Sequence, residues 1–226
     1  MRIHIFSVTF FTAHFKRHET KKFRSTYILP PPTAIWGIVG AILGVSRRSL
    51  REFVRENNLI VGAELCGFKA LANEKVALMS WNKNERGFAR AVEGFEFLVE
   101  PSYRIVVCSE TDLINELKKR IEKKKFEFDI YGGISDCFLK DIKNENKSEL
   151  ECKESVEARG MVPSATVLGL SEVSEGGRVI KVLYLNTLFY QGFKVAFRLK
   201  EPIKVVDGIA VWSFEDVERF REGNLG

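Results

Sequence analysis

The chain has 226 residues, enough to bury a substantial core, and its 35 Lys plus Arg against 30 Asp plus Glu leave a net charge of only +5. Any polyanion site must therefore come from local clusters of cations. Cys66, Cys108, Cys137 and Cys152 form no CxxC pair and Met1-Arg2-Ile3-His4 does not open a signal peptide, so a cytoplasmic location is expected.

Residues 2–10, RIHIFSVTF, set Ile3, Ile5, Phe6, Val8 and Phe10 on both faces of an extended segment, which predicts a central first strand. A loop then carries Lys16, Arg17, Lys21, Lys22 and Arg24 among His14, Phe15, His18, Phe23 and Tyr27. Pro30, Pro31 and Pro32 hold extended backbone, Thr33 can cap the amides that follow, and Gly44 can end the helix. That helix is apolar all round and too short to span a membrane, so it is predicted to lie in the core. Gly37, Gly40, Ala41 and Gly44 fall on one stripe, where a sheet is expected to approach. Leu50, Phe53 and Val54 continue helical spacing, with Arg47, Arg48, Arg51 and Arg55 toward water.

Residues 59–70 and 93–108 read as the second and third strands, separated by a polar excursion with a turn at Asn82-Lys83-Asn84, which predicts a protruding β-hairpin over about 71–92. Ser109 and Asp112 start a second helix with Leu113, Ile114, Leu117 and Ile121 on one stripe. Phe126, Phe128 and Ile130 then alternate into Tyr131-Gly132-Gly133 as a fourth strand. The order βαββαβ, with both helices on one face, predicts an α+β ferredoxin-like sheet over 1–139, the platform RNA-recognition domains use. Residues 140–157 are expected to form a polar connecting loop, and 158–226 a small antiparallel β annex with Gly176-Gly177 and Asp207-Gly208 at hairpin turns. Ser213 with Asp216 predicts a capped last helix presenting Val217 and Phe220.

Cations neutralise phosphates and aromatic faces stack unpaired bases, so the loop from His14 to Tyr27 points to single-stranded nucleic acid. The bland alternative is an exposed loop whose aromatics tuck into the core. Thr33, at a helix N-terminus beside the loop, offers amides to a phosphate or is a plain cap. Lys83, Arg86 and Arg90 on the hairpin continue a basic track or only solvate it. No metal or cofactor site is expected, because all three histidines lie within the first 18 residues without carboxylate partners at ligand spacing. A metal-independent ribonuclease would need an acid and a base, and His14, His18, Tyr27 and Lys22 are the candidates.

The stretch AHFKR, the run PPPTAIWGIVGAILG about 15 residues later, the hairpin insertion and YGG together resemble the Cas five family of CRISPR-associated proteins, most sharply over residues 12–44. The resemblance implies an RNA-binding subunit of the type I surveillance complex, Cascade, gripping the 5′ handle of the guide RNA. Its partners would be the Cas seven backbone subunits and the large subunit, with target DNA met indirectly and no membrane. Carried over, His14, Phe15, Lys16 and Arg17 match the motif after the first strand, and Pro31, Thr33 and Trp36 the start of the helix. The hairpin would be the family's thumb, with Lys83, Arg86 and Arg90 matched by position. One branch of the family processes CRISPR precursor RNA, using a tyrosine and a downstream lysine-histidine pair. No histidine follows His18 here, so a non-catalytic subunit is expected, with the endoribonuclease as the alternative.

Overall fold

The computed structural model describes residues 1–19, 23–82, 87–147 and 149–223. Strand β1 (Arg2–Phe10) is buried on both faces: Phe6, Val8 and Phe10 join the main core, and Ile5 packs with Val106, Cys108 and Val211 on the other side. Four two-residue strands follow within the loop, β2 (Thr12–Ala13), β3 (Phe15–Lys16), β4 (Phe23–Arg24) and β5 (Thr26–Tyr27). Helix α1 (Pro32–Leu43) comes next and is closed by Gly44 in the left-handed conformation at φ 80°, as the sequence predicts. Its cap is not Thr33: Pro31 occupies the N-cap position, and no side chain of the helix's own start caps it. Then come α2 (Leu50–Glu56), β6 (Ile60–Gly67), β7 (Ala70–Asn82), β8 (Gly87–Val99), β9 (Ser102–Ser109) and α3 (Leu113–Glu122). The chain ends with β10 (Leu139–Asn144), β11 (Cys152–Pro163), β12 (Val167–Tyr184), β13 (Thr187–Val206), β14 (Ile209–Ala210) and α4 (Phe214–Glu222).

The ferredoxin-like expectation does not hold. The protein is mostly β, and its main sheet has eight strands in the order β10-β1-β9-β6-β13-β11-β14, with β12 on β13. The sheet is mixed, because β13 joins β6 in parallel while its other long neighbours run antiparallel. The edge of β6 that a compact four-stranded unit would leave open is taken by β13, which brings the C-terminal strands into the same sheet.

Two local misreadings explain the error. Residues 126–130 form no strand; the Phe128 amide instead bonds the Ala41 carbonyl at 3.1 Å, holding the segment against α1. The strand beside β1 is β10, inside the stretch expected to be a polar loop. Ile142 is its one fully buried residue, with Leu139 packed partly against the core, while Asp141 and Lys143 pair with each other and Lys140 with Glu100, as charged edge strands commonly do. The Gly176-Gly177 pair also makes no hairpin turn: it lies in a wide bulge of β12, where Val173 pairs with Val195 and Arg178 with Phe193.

The other helices follow their patterns. α3 buries Ile114, Leu117 and Ile121, and α4 starts with a capping box between Ser213 and Asp216 and buries Val217 and Phe220. Across the sheet, Arg104 on β9 bonds Glu145 at 2.9 Å and Asp207 at 2.8 Å and reaches Glu64 on β6 at 3.3 Å. Arg159 on β11 meets Glu64 at 2.6 Å, so one half-buried charge network joins β6, β9, β11 and the turn after β13.

Candidate nucleic-acid interface

The loop after β1 is built onto the base of the β7–β8 hairpin. β2 pairs antiparallel with the end of β8, Thr12 opposite Val99 and Ala13 opposite Leu98, while β4 runs parallel to it, Phe23 opposite Gly94 and Arg24 opposite Phe95. Two bonds tie the loop to Glu96 on β8: His14 Nδ1 lies 2.8 Å from its carbonyl, and the Thr26 amide donates to its carboxylate at 3.0 Å. Beneath, the His14 amide donates to the Gly132 carbonyl at 2.8 Å. Gly133 sits at φ 100°, and a Cβ there would stand 2.2 Å from the His14 carbonyl oxygen, so the YGG turn needs glycine at that point.

The opposite side of the loop is held by the β12–β13 hairpin. Tyr27 donates its hydroxyl to the Leu183 carbonyl at 2.5 Å. Gln191, the single glutamine of the chain, is wholly buried and accepts from the Ile28 and Leu29 amides at 3.0 and 3.2 Å. Tyr184 donates to Thr33 Oγ1 at 3.1 Å, which ties the start of α1 to this hairpin. Burial pushes the Tyr184 phenol up to about 12 and, with Glu19 adding to the effect, holds Tyr27 well above the usual tyrosine range.

Against this frame the expected RNA-binding residues separate. His14, Phe15, Tyr27 and Trp36 are buried and serve the core: His14 lies against the rings of Phe95 and Phe97, Phe15 against Tyr103, and Trp36 stacks on Phe214. Burial lowers the His14 pKa, with Arg24 and Lys16 adding to the effect against the Glu96 carbonyl bond. Lys16 is exposed. Arg17 pairs with Glu19, and Arg24 is bound to Glu93 at 2.5 Å and lies 4.9 Å over the Phe95 ring, so both cations are locally neutralised. Thr33 is exposed at the start of α1, and Arg90 is exposed on β8. Lys21, Lys22, Lys83 and Arg86 lie outside the described residues.

Composition overlooked the hairpin's aromatic face. Register places Trp81 opposite Phe88 and Met79 opposite Arg90, and side chains of opposed residues share one face of a sheet. Trp81 and Phe88 are 57% and 69% exposed, with ring centroids 5.3 Å apart. The alternation of Trp81 with Met79 and of Phe88 with Arg90 was the available signal.

The small-residue stripe of α1 does not meet a sheet. A Cβ on Gly40 would stand 2.8 Å from Leu50 of α2, whereas one on Gly37 would meet nothing within 4 Å. Gly37 opens instead onto a groove of about 450 Å³ lined by Thr33, Ala41, Arg47, Asp129 and Tyr131. Among the described residues no three His, Cys, Asp or Glu side chains gather as metal ligands, and no helix is long and apolar enough to cross a membrane.

These features define a β-rich platform with a loop–hairpin projection at one end. A family model described as CRISPR-associated protein (Cas_Cas5) matches residues 5–146. The chain belongs to that family, and its role is CRISPR-associated. Its fold is similar to a CRISPR protein from Archaeoglobus fulgidus, with a TM-score of 0.56 and 14% identity over 93% of this chain and 98% of the other. A chain of a CRISPR RNA-guided surveillance complex aligns with a TM-score of 0.47 and 10% identity over 98% of each chain. Among curated proteins, no sequence matches.

Proposed function

We propose that this protein is an RNA-binding subunit of a type I CRISPR surveillance complex, Cascade, that grips the 5′ handle of the guide RNA and leaves it uncut. The observation that carries this reading is the exposed Trp81–Phe88 face of a hairpin whose base is built onto the Lys16–Arg24 loop. An aromatic face with a cation, Arg90, beside it on the same strand suits single-stranded RNA, and exposed apolar faces of this kind are uncommon without a partner. In this reading the Cas seven backbone subunits and the large subunit pack around the chain in the cytoplasm, and target DNA is reached through the guide.

The non-cleaving role rests on the fate of the candidate acid–base groups. His14 is interior and Tyr27 spends its proton on a backbone carbonyl, so neither stands as an acid partner to the exposed His18, and Lys22 lies outside the described residues. A reacting 2′-hydroxyl needs a base within hydrogen-bond reach and an acid at the leaving group. The test incubates purified protein with full repeat RNA, in chelator and in magnesium, and reads both binding and RNA length. Salt-dependent binding with intact RNA is expected. A discrete cut at the 5′ handle would replace this reading with the endoribonuclease.

A further inference from the structure

The hydrogen-bond accounting around Tyr27 fixes the state of a second histidine. Tyr27 has one hydroxyl proton, and it goes to the Leu183 carbonyl, which can only accept. The phenol oxygen therefore acts only as acceptor toward its other neighbour, His18 Nδ1 at 3.0 Å. In the neutral ring Nδ1 must carry the hydrogen, and Nε2 is left with a bare lone pair. His18 is exposed, its ring centroid held 6.2 Å from that of Tyr27 and 6.1 Å from that of Tyr184. Among the described residues Nε2 has no hydrogen-bond partner.

A lone pair fixed two residues along the chain from the exposed Lys16 is unsuited to a phosphate oxygen, which also only accepts. It suits a ligand donor. Where cations hold a sugar–phosphate backbone, the donor that backbone itself offers is the ribose 2′-hydroxyl, present in RNA and missing from DNA. We propose that His18 is a specificity-determining residue: its Nε2 accepts a hydrogen bond from one 2′-hydroxyl of the bound strand, and Tyr27 is the positioning residue that sets its tautomer. This rests on the RNA-binding reading above, and it assigns the RNA-over-DNA preference to one nitrogen.

The test uses the full chain and a repeat-derived RNA in which each ribose in turn is changed to 2′-deoxyribose. One position should lose roughly five-fold in affinity, the worth of a single hydrogen bond. His18→Phe should bind all the strands at that weaker level, and His18→Gln, whose side-chain carbonyl can stand near the Nε2 position, should restore the difference. Tyr27→Phe, which leaves the Leu183 carbonyl and His18 Nδ1 without their shared partner, should blunt the preference. Nitrogen-15 chemical shifts of His18 provide an independent reading, with the Nδ1–H tautomer expected. An Nε2–H tautomer, or a deoxy scan with no His18-dependent position, overturns the proposal. A position that responds to removal of a base amino group and not to loss of the 2′-hydroxyl overturns it as well. Failure of the wild-type chain to bind any RNA would instead sink the RNA-binding reading itself.

Discussion

In the β12–β13 hairpin the closed end is buried, Tyr184, Thr187 and Phe189 lying under α4 with the Asn186 amide bonded to the Phe220 carbonyl, whereas the far strands of the β7–β8 hairpin hold Trp81 and Phe88 out in solvent. Both are long antiparallel pairs rich in aromatic residues, so strand propensity does not distinguish them. The difference lies in what packs against each face. The first is covered by α4 and the pre-helix loop, and its polar atoms go to fixing that loop; among the described residues, the Trp81–Phe88 face is left open. One hairpin is a brace and the other a projection, and the loop from His14 to Tyr27 is held between them.

If this division is right, damage to the brace should unfold the protein, and damage to the projection should spare the fold. Gln191→Leu is expected to have the largest effect. It strands the Ile28 and Leu29 amides in a buried site, and an unsatisfied buried donor costs about 1–3 kcal/mol. Urea unfolding should show the combined loss. An unchanged midpoint would mean that the loop does not depend on the brace.

Trp81→Ala with Phe88→Ala should do the reverse. Exposed substitutions usually move stability by no more than roughly 0.5 kcal/mol, whereas each lost base stack weakens RNA binding by about 1–3 kcal/mol. Equal loss of fold and of affinity in this double variant would erase the contrast between the hairpins. A smaller effect comes from the loop's cations. Lys16→Ala should flatten the slope of log affinity against log salt by about 0.7, the value for one phosphate on a single strand. Arg24→Ala should change it less, because Glu93 already neutralises that charge.

The brace was largely illegible in the sequence, and the projection partly legible. Local periodicity shows β1, α1, α3, α4 and the two arms of the β7–β8 hairpin, because each carries its pattern within a few residues of itself. The main sheet depends instead on pairings such as Leu65 with Phe193, which no local pattern records, and on β10, whose polar outer face hides a strand. At the site, composition drew attention to the basic loop but treated His14 and His18 alike. The structure separates them: His14 is anchored to Glu96 and enclosed by Phe95 and Phe97, whereas His18 faces solvent with one nitrogen committed to Tyr27. Gln191 and Tyr184 carried no signal at all, since their partners lie more than 150 residues away.

The smallest effect expected is one of pH, and it concerns the joint where the projection meets the loop. His14 Nδ1 holds the Glu96 carbonyl while Nε2 is buried without a partner, so charging the ring would place a second proton where nothing accepts it. Desolvation lowers the His14 pKa first, Arg24 and Lys16 lower it further, and the bonded carbonyl and charge of Glu96 oppose them only in part. The folded chain therefore binds this proton less readily than the unfolded chain, whose histidine titrates near about 6.5. Stability from this site is complete above that value and is lost as pH falls below it toward the lower folded pKa. His4 is lowered in the same direction, by burial that outweighs the opposing bond to Asn144, and contributes a parallel loss. Urea midpoints should be lower at acid pH than at neutral pH, and His14→Asn, which keeps a donor for the Glu96 carbonyl but does not titrate, should reduce the difference, what remains being owed to His4 and to the paired carboxylates Asp141 and Asp207, which are also lowered. A pH profile identical in the wild type and His14→Asn would show that the joint opens to water before the ring charges, and that the loop and the hairpin are coupled less tightly than the geometry implies.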